Sequence, residues 1–269
     1  MTDRRTCLVL LLGAVIALGC KTTAKGPVVA PRLPAAAPTL EEVVADLRAN
    51  DAKLADFRAA ATFTLESPKL KSVQRFPSGT VAYRRPADLY IVGKNALNAT
   101  LFKLTSHGAE FLIEFPAVQD VDDRYYCSFE AGDIANVPFP VAPADIAHEM
   151  FQPIDWPQTA DDAIRYQSFD MDSGAATLEL AVHNGLTRRI VVIGKPWRIA
   201  HNMLVDASGA VLSDTTLSDY VECGGVRIPT TVDAQFPGEQ THIRFELRNV
   251  RANTGLPGID FTWDWPPGQ

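Results

Sequence analysis

The sequence predicts a mainly β protein, a single antiparallel sheet with two or three covering helices. About twelve segments carry β-branched and aromatic residues, often in alternation, between glycine, proline and asparagine. The connections between these segments are too short for crossover helices, so neighbouring strands should run antiparallel. Only two segments show helical spacing, and the 46% apolar composition is enough to fill a substantial core.

The first element is an export signal over residues 1–19. Arg4 and Arg5 precede an apolar run of roughly 13 residues, whereas a membrane-spanning helix needs about 20. The sequence Ala-Leu-Gly before Cys20 resembles the lipobox of bacterial lipoproteins, although Ala17 stands where a larger aliphatic residue is usual. We therefore predict a lipoprotein signal peptide with acylation of Cys20. The alternative is an ordinary secretory signal that leaves a free Cys20.

Residues 20–38 form the second segment, the lipidated Cys20 followed by a linker rich in proline and alanine. Its four prolines prevent helix formation and favour a semi-extended spacer. The folded part, predicted as one β domain, spans residues 39–269. It begins with a helix from Leu40 to Lys53, because Thr39 and Glu42 have the spacing of a capping box and apolar residues follow at helical spacing.

Strands follow that helix, and a second predicted helix divides them into two groups along the chain. Pro143 suits the first turn of a helix over residues 142–151. Glycine-containing turns predict hairpins at residue 108, at 184–185, at 208–209 and at 223–225. The predicted strands before the second helix are 57–66, 79–85, 89–93, 99–106, 109–115 and 124–129. Those after it are 163–171, 176–183, 187–194, 197–206, 215–222, 226–236 and 241–251.

Two stretches of the first half carry a family resemblance. "SGTVAYRRPADLY" (78–90) and "LFKLTSHGAEFLIEFP" (101–116) resemble the lipoprotein-carrier fold of LolA, LolB and LppX, with a strand, an Arg-Pro and a glycine hairpin. The segments at 197–237 and 249–268 resemble the second half of that fold. The resemblance implies an open half-barrel whose interior binds acyl chains of a lipid or lipoprotein. The predicted lipid anchor makes the chain similar to the LolB receptor rather than to the soluble LolA carrier.

Hydrophobic periodicity gives candidates for the lining of such an interior. An under-filled apolar cavity can take acyl chains without specific polar groups. The alternative is that these side chains simply pack on the helices. The candidates are Phe63, Leu65, Val81, Tyr83, Leu101, Leu104, Phe111, Ile113, Leu178, Leu180, Phe245 and Leu247.

The resemblance also implies a latch at Arg84 or Arg85. In the family, an arginine before this proline position helps to close the lid over the cavity. Because Pro86 favours extended geometry before it, the two arginines should point to opposite faces and one should be buried. The alternative is a pair of exposed charges at a strand end.

The cysteines leave two readings open. Cys7 lies in the signal and Cys20 takes lipid, so Cys127 and Cys223 remain, as a disulfide that the cell envelope would permit or as two thiols. Neither has the spacing of a metal site, and we predict no metal and no cofactor.

Composition and motifs narrow the function. The formal net charge is -7 without a lysine- or arginine-rich run, which argues against nucleic-acid binding. The five histidines are scattered and no nucleophile elbow, phosphate loop or zinc helix occurs, so we do not expect an enzyme. Expected partners are acyl chains and the membrane through the lipid. The alternative function is an accessory scaffold lipoprotein that has a filled core and contacts an envelope protein. The tail at 261–268 could plug the hollow or offer Trp263 and Trp265 to such a partner, and residues 137–141 are the nearest candidate for the exposed apolar loop that marks LolB-like receptors. Lys21 after Cys20 favours the outer membrane, with the body facing the periplasm.

Overall fold

The structure is a computed structural model that describes residues 33–34, 36–68, 70, 72–108, 110–116, 164–182 and 185–262, and the backbone of 124–128. Cys20, the helix predicted at 142–151, the loop at 137–141 and the two tail tryptophans lie outside the described residues.

Helix α1 spans Leu40–Ala52, as the sequence predicts. Thr39 is its N-cap, and the Thr39 side chain accepts a hydrogen bond of 3.1 Å from the backbone N–H of Glu42. The helix buries Val43, Val44 and Leu47. The apolar stripe of this short helix therefore packs on the protein interior, as its spacing predicts.

Sixteen strands are described. In chain order they are β1 Asp56–Glu66, β2 Gln74–Phe76, β3 Ser78–Arg84, β4 Asp88–Lys94, β5 Thr100–His107, β6 Glu110–Glu114, β7 Arg124–Ser128, β8 Ile164–Asp170, β9 Ala175–Ala181, β10 Thr187–Ile193, β11 Arg198–Val205, β12 Val211–Ser218, β13 Val221–Cys223, β14 Val226–Ile228, β15 Thr231–Phe236 and β16 Thr241–Ala252.

Fourteen of these strands form one sheet in the order β7-β6-β5-β4-β3-β1-β16-β15-β12-β11-β10-β9-β8, with β2 also paired to β1. Every pairing is antiparallel. The sheet is curved and its ends, β7 and β8, do not pair with each other, so it is an open half-barrel. The predicted fold class is confirmed.

Two predicted strands are interrupted in the structure. The segment at 226–236 divides into β14 and β15 around Pro229, which has no N–H for a ladder. The segment at 215–222 ends at Asp219, whose φ of 53° breaks the extended backbone. Strand β2 was not predicted. The hairpin β13–β14 forms a separate two-stranded sheet, with Gly224 and Gly225 at φ of 59° and 78° in its turn.

Cross-strand register shows which side chains share a face. Residues paired in register point to the same side of a sheet. One row of pairs crosses seven strands, Leu178, Ile190, Asn202, Thr215, Ala234, Ile243 and Leu65. Helix α1 packs on the Leu178 and Ile190 end of that row. We call this side of the sheet the inner face.

The inner face carries two hydrophobic clusters. The helix cluster joins the buried residues of α1 to those of β8, β9 and β10, with Trp197. The phenylalanine cluster joins the buried residues of β1 to β6 with those of β14, β15 and β16.

Candidate functional site

Phe63 on β1 is the centre of the phenylalanine cluster. Its ring stacks on Phe76 and Phe245, with ring centroids 4.4 and 4.8 Å apart, and meets Phe102 edge-on at 5.4 Å. Aromatic pairs at these separations contribute beyond their buried area. This part of the inner face is therefore held by ring packing rather than by polar contacts.

A glycine on β4 makes that packing possible. A Cβ atom at Gly93 would lie 2.6 Å from the Phe102 ring, 2.7 Å from Phe63 and 2.8 Å from Phe76. No side chain fits at that separation, so Gly93 allows three rings to approach the backbone.

A small cavity lies beside these rings, and every side chain that lines it is apolar. Its volume is about 10 Å³, roughly the minimum for one water molecule. An acyl chain could enter only if the lining side chains moved apart. The lining residues are Phe63, Leu65, Ile91, Phe102, Leu104, Ile243 and Phe245.

The candidate lining residues fall into three groups. Leu178 and Leu180 lie in the helix cluster and pack on α1, as the alternative to a cavity lining predicts. Leu101 is half-buried at the margin of the phenylalanine cluster. The other nine are buried in the phenylalanine cluster, namely Phe63, Leu65, Val81, Tyr83, Leu104, Phe111, Ile113, Phe245 and Leu247.

Three lining residues, Ile91, Phe102 and Ile243, were missed by the sequence analysis. On β5 the structure places Phe102 in the cavity where Leu101 was expected, because residues 102 and 104 share a face of a strand. Strict alternation counted back from Leu104 would have found Phe102.

Arg85 holds the end of helix α1. Its Nη2 atom donates to the carbonyl oxygen of Asp51 at 2.5 Å, and its backbone N–H donates to Ala55 at 2.9 Å. A cation near the last carbonyls of a helix is favourable. Arg85 thus has the carbonyl partner that the implied latch needs. Its side chain is exposed, so the prediction of a buried guanidinium is wrong.

Arg84, also exposed, binds a different partner, on the outer side of the sheet. Its Nε and Nη2 atoms donate to one carboxylate oxygen of Asp88 at 2.8 and 2.5 Å, and His107 lies 2.8 Å from the other oxygen. The guanidinium lies 4.5 Å from the centroid of the buried Phe261 ring. Phe261 therefore packs outside the sheet and does not plug the cavity.

Three solved structures have a similar fold. A candidate outer membrane lipoprotein-sorting protein domain from Vibrio parahaemolyticus matches with a TM-score of 0.57 and 15% identity, over 82% of this chain and 94% of that one. A DUF1329 family protein from Desulfovibrio piger matches at 0.59 and 14%, over 84% and 98%. A LolA superfamily protein from Nitrosomonas europaea matches at 0.53 and 14%, over 85% and 100%. The chain has a LolA-like fold.

No family model and no curated protein matches the sequence. At 14 to 15% identity the structural likeness establishes the fold alone. The resemblance that the sequence carries is therefore confirmed for the LolA-like architecture.

The β4–β5 turn of this LolA-like fold displays a leucine to solvent. Leu97 is 88% exposed. The Asn95 side chain accepts hydrogen bonds from the backbone N–H groups of Leu97 and Ala99 at 2.9 and 3.0 Å, and the Asn95 N–H donates to Ala99 at 3.0 Å. The turn is thus closed by its own bonds with an apolar side chain at the tip. Residues 137–141 were expected to supply this feature.

Cys223 is a free thiol, and its Sγ atom lies 3.2 Å from the carbonyl oxygen of Val250. The side chain of Cys127 lies outside the described part of the chain. The structure gives no support to a disulfide between them.

Two features are absent from the described residues. Within them, no group of three or more histidine, cysteine, aspartate or glutamate side chains could hold a metal ion. Nor does any helix in that part of the chain have the length and apolar character needed to cross a membrane.

Proposed function

We propose that this protein is a membrane-anchored envelope lipoprotein that binds the acyl chains of a lipid or lipoprotein, as a carrier or receptor. Acylated Cys20 would hold it to the membrane, at the outer membrane and facing the periplasm, with the β body beyond the proline-rich linker. The observation that carries the proposal is the apolar cavity in the phenylalanine cluster of an open half-barrel.

The binding energy would come from methylene burial. Each CH₂ group removed from water contributes about 0.8 kcal/mol, so six of them contribute about 5 kcal/mol. Entry of a chain costs the contacts that the lining side chains now make with each other. Helix α1 covers the β9 and β10 end of the inner face, and strand β14 packs against the phenylalanine cluster. Arg85 and Arg227 fasten the helix through Asp51 and Asp46, and Arg227 belongs to β14. A joint shift of α1 and β14 would widen the interior.

The tip at Leu97 supports a receptor rather than a soluble carrier. LolB-like receptors, as the resemblance implies, carry an exposed apolar residue on a protruding loop. Leu97 meets that description, and the Asn95 hydrogen bonds hold it outward. We infer that this tip contacts the lipid or lipoprotein from which the acyl chain is received.

One observation favours a second candidate, an accessory scaffold. The cavity volume of about 10 Å³ leaves the phenylalanine cluster nearly filled by its own side chains. A filled LolA-like body would offer its loops to an envelope protein partner and bind no acyl chain.

Acyl photocrosslinking in cells separates the two candidates. The full chain is produced in cells fed a fatty acid that carries a diazirine, irradiated, and mapped by mass spectrometry. We expect adducts on Phe63 and Leu65, which are buried on the inner face of β1. Thr62 and Thr64, which alternate with them on the same strand, are the matched controls. Adducts absent from the inner positions, or equal on both sets, would leave only the scaffold.

The tip is tested in the same cells. Leu97→Ser should lower labelling of Phe63 and Leu65 severalfold if the tip delivers the chain. Leu212→Ser removes another exposed leucine, 40% accessible on β12, and should leave that labelling unchanged. Equal labelling in the two variants would show that the tip has no part in uptake.

A further inference from the structure

A groove of about 560 Å³ lies between the first turns of α1 and the loop that joins β10 to β11. Glu42 and Asp46 line it on the helix side, and residues 195–197 line it on the other side. Its volume falls in the range of ligand-binding clefts, about 300 to 1,000 Å³. We call it the linker groove, because Leu33 and Pro34 of the linker complete its lining.

The two walls of the linker groove are held together by Asp46. One carboxylate oxygen of Asp46 accepts from the backbone N–H of Trp197 at 2.9 Å and from the Nη2 atom of Arg227 at 2.8 Å. The Trp197 side chain is 1% exposed and packs in the helix cluster, so the second wall is fixed by the core. The groove is therefore preformed, and an occupant would not have to order its walls.

The charged side chains of the groove are already paired within the chain. Lys195 forms an ion pair with Glu42, and Asp46 forms one with Arg227. Among the described lining residues, no charge is therefore left over to select an ion. An uncharged segment with apolar side chains suits these walls better, since it can pack on Trp197 without separating either pair.

The linker already contacts the protein beside this groove. A Cβ atom at Gly174, in the turn between β8 and β9, would lie 2.9 Å from the Leu33 Cδ2 atom and 2.9 Å from the Pro34 Cδ atom. No side chain fits at that separation, so Gly174 allows the linker to pack closely on the turn. The chain that precedes Leu33 therefore leaves from the groove itself.

The sequence before Leu33 has the character that the groove selects. Residues 26–31 read Gly-Pro-Val-Val-Ala-Pro and carry no charge, whereas Lys25 and Arg32 flank them. They lie outside the described residues. Proline-rich segments favour the extended polyproline helix, which binds in grooves lined by aromatic side chains at a low entropy cost. Covalent attachment gives the segment an effective concentration on the order of millimolar, so a weak intrinsic affinity is enough to fill the groove.

We propose that residues 26–31 bind in the linker groove of their own chain. Docking shortens the tether between the predicted lipid and the folded body. Residues 21–32 reach up to about 37 Å when extended, whereas residues 21–25 alone reach about 16 Å. The docked linker would hold the α1 end of the half-barrel near the membrane. Docking does not depend on acyl-chain binding, and only its consequence for orientation depends on acylation of Cys20.

Site-specific photocrosslinking of the full chain tests the docking. Benzoylphenylalanine is incorporated in place of Val29, the cells are irradiated, and the adducts are mapped by mass spectrometry. We expect the adducts to concentrate on residues 42–46 and 195–197 of the same chain. The same probe in place of Thr23, in the segment proposed to stay free, is the control and should label those residues at least fivefold less.

A substitution that fills the groove assigns the adducts to it. Glu42→Trp should reduce them at least fivefold, and loss of the exposed pair with Lys195 should cost little stability. Glu41→Trp is the matched control, because Glu41 is exposed in the same first turn of α1 and does not line the groove. The Glu41→Trp adducts should match those of the chain without it.

Trypsin cleavage gives a readout without the photoprobe. Docking of residues 26–31 should slow cleavage after Arg32 at least tenfold relative to cleavage after Lys25. Val29→Asp places a charge in the docked segment and should remove most of that protection, whereas Thr22→Asp should not. An equal rate of cleavage after Arg32 in these two variants would overturn the docking.

The remaining outcomes name other occupants. Adducts scattered over the body, or unchanged by Glu42→Trp, would show that the linker does not enter the groove. Adducts on the groove of a second copy, identified by mixing isotope-labelled and unlabelled chains, or on another envelope protein would overturn docking within the chain. Labelling of Phe63 and Leu65 by the fatty-acid probe is measured separately, so failure of the docking leaves acyl-chain binding untouched.

Discussion

Buried hydroxyls on the two halves of the inner face are treated differently. In the half that holds the phenylalanine cluster, the Ser106 hydroxyl accepts from the backbone N–H of Leu89 at 3.0 Å, and the Thr241 hydroxyl donates to Ser67 at 2.9 Å. In the other half, the Ser213 and Thr215 hydroxyls of β12 are as deeply buried and have no hydrogen-bond partner.

The difference separates hydroxyls that stabilise the fold from hydroxyls that cost it free energy. Where a hydroxyl serves the fold, a backbone group or another side chain satisfies it. The two β12 hydroxyls are buried without such a partner, which lowers the stability of the folded chain. We therefore regard the phenylalanine cluster as the source of stability and β12 as a strand that reduces it. Substitutions in each half of the inner face test this contrast.

The largest effect should follow Phe63→Ala. Phe63 contacts three other phenylalanine rings, and removal of a buried phenylalanine costs about 3 to 5 kcal/mol of the free energy of unfolding. Urea unfolding of the full chain measures it. A loss below about 1 kcal/mol would show that the cluster collapses around the gap, and the inner face would then be loosely packed in both halves.

A mirrored pair of exchanges compares the halves at equal side-chain volume. Val232 is buried on β15 in the phenylalanine cluster, one strand from Thr215. Val232→Thr should lower the free energy of unfolding by about 1 to 3 kcal/mol, because it buries a hydroxyl without a partner. Thr215→Val should raise it by about 1 kcal/mol. Both values come from urea midpoints, and the same sign for both exchanges would remove the distinction between the halves.

The fold was largely readable from local pattern. The cap at Thr39, the hairpin glycines and the alternation along the strands are local signals, and they led to the antiparallel half-barrel. The points at which a strand is interrupted were harder to predict. Asp219 ends β12 through a positive φ, and asparagine or glycine at that position would have been a clearer signal of such a backbone.

The site was readable only in part, because it depends on which strands pair. Nine predicted lining residues lie together in one cluster, since alternation alone places them on one face. Asn202 and Thr215 become neighbours through the register of β11 and β12, which the sequence does not encode locally. Leu97 was missed although the asparagines that flank its turn are a typical turn signal.

A smaller effect is expected from the titration of Tyr83, whose hydroxyl is hydrogen-bonded. The Tyr83 hydroxyl, in the phenylalanine cluster, donates to the carbonyl oxygen of Pro86 at 2.9 Å. Burial raises the pKa of Tyr83 to about 12 from an ordinary value of 10. Between these values the unfolded chain loses the proton while the folded chain keeps it, so the free energy of unfolding falls by about 1.4 kcal/mol per pH unit.

Tyr83→Phe isolates that contribution. At pH 8 the variant should be about 1 kcal/mol less stable, because it lacks the hydrogen bond to Pro86. Above pH 10 only the wild type pays for keeping tyrosine neutral, so the difference should shrink and change sign before pH 12. Urea unfolding of both proteins at pH 8, 10 and 11.5 measures it. Parallel curves would mean that the Tyr83 hydroxyl titrates normally, and the hydrogen-bonded hydroxyls of this half would then be no better protected than those of β12.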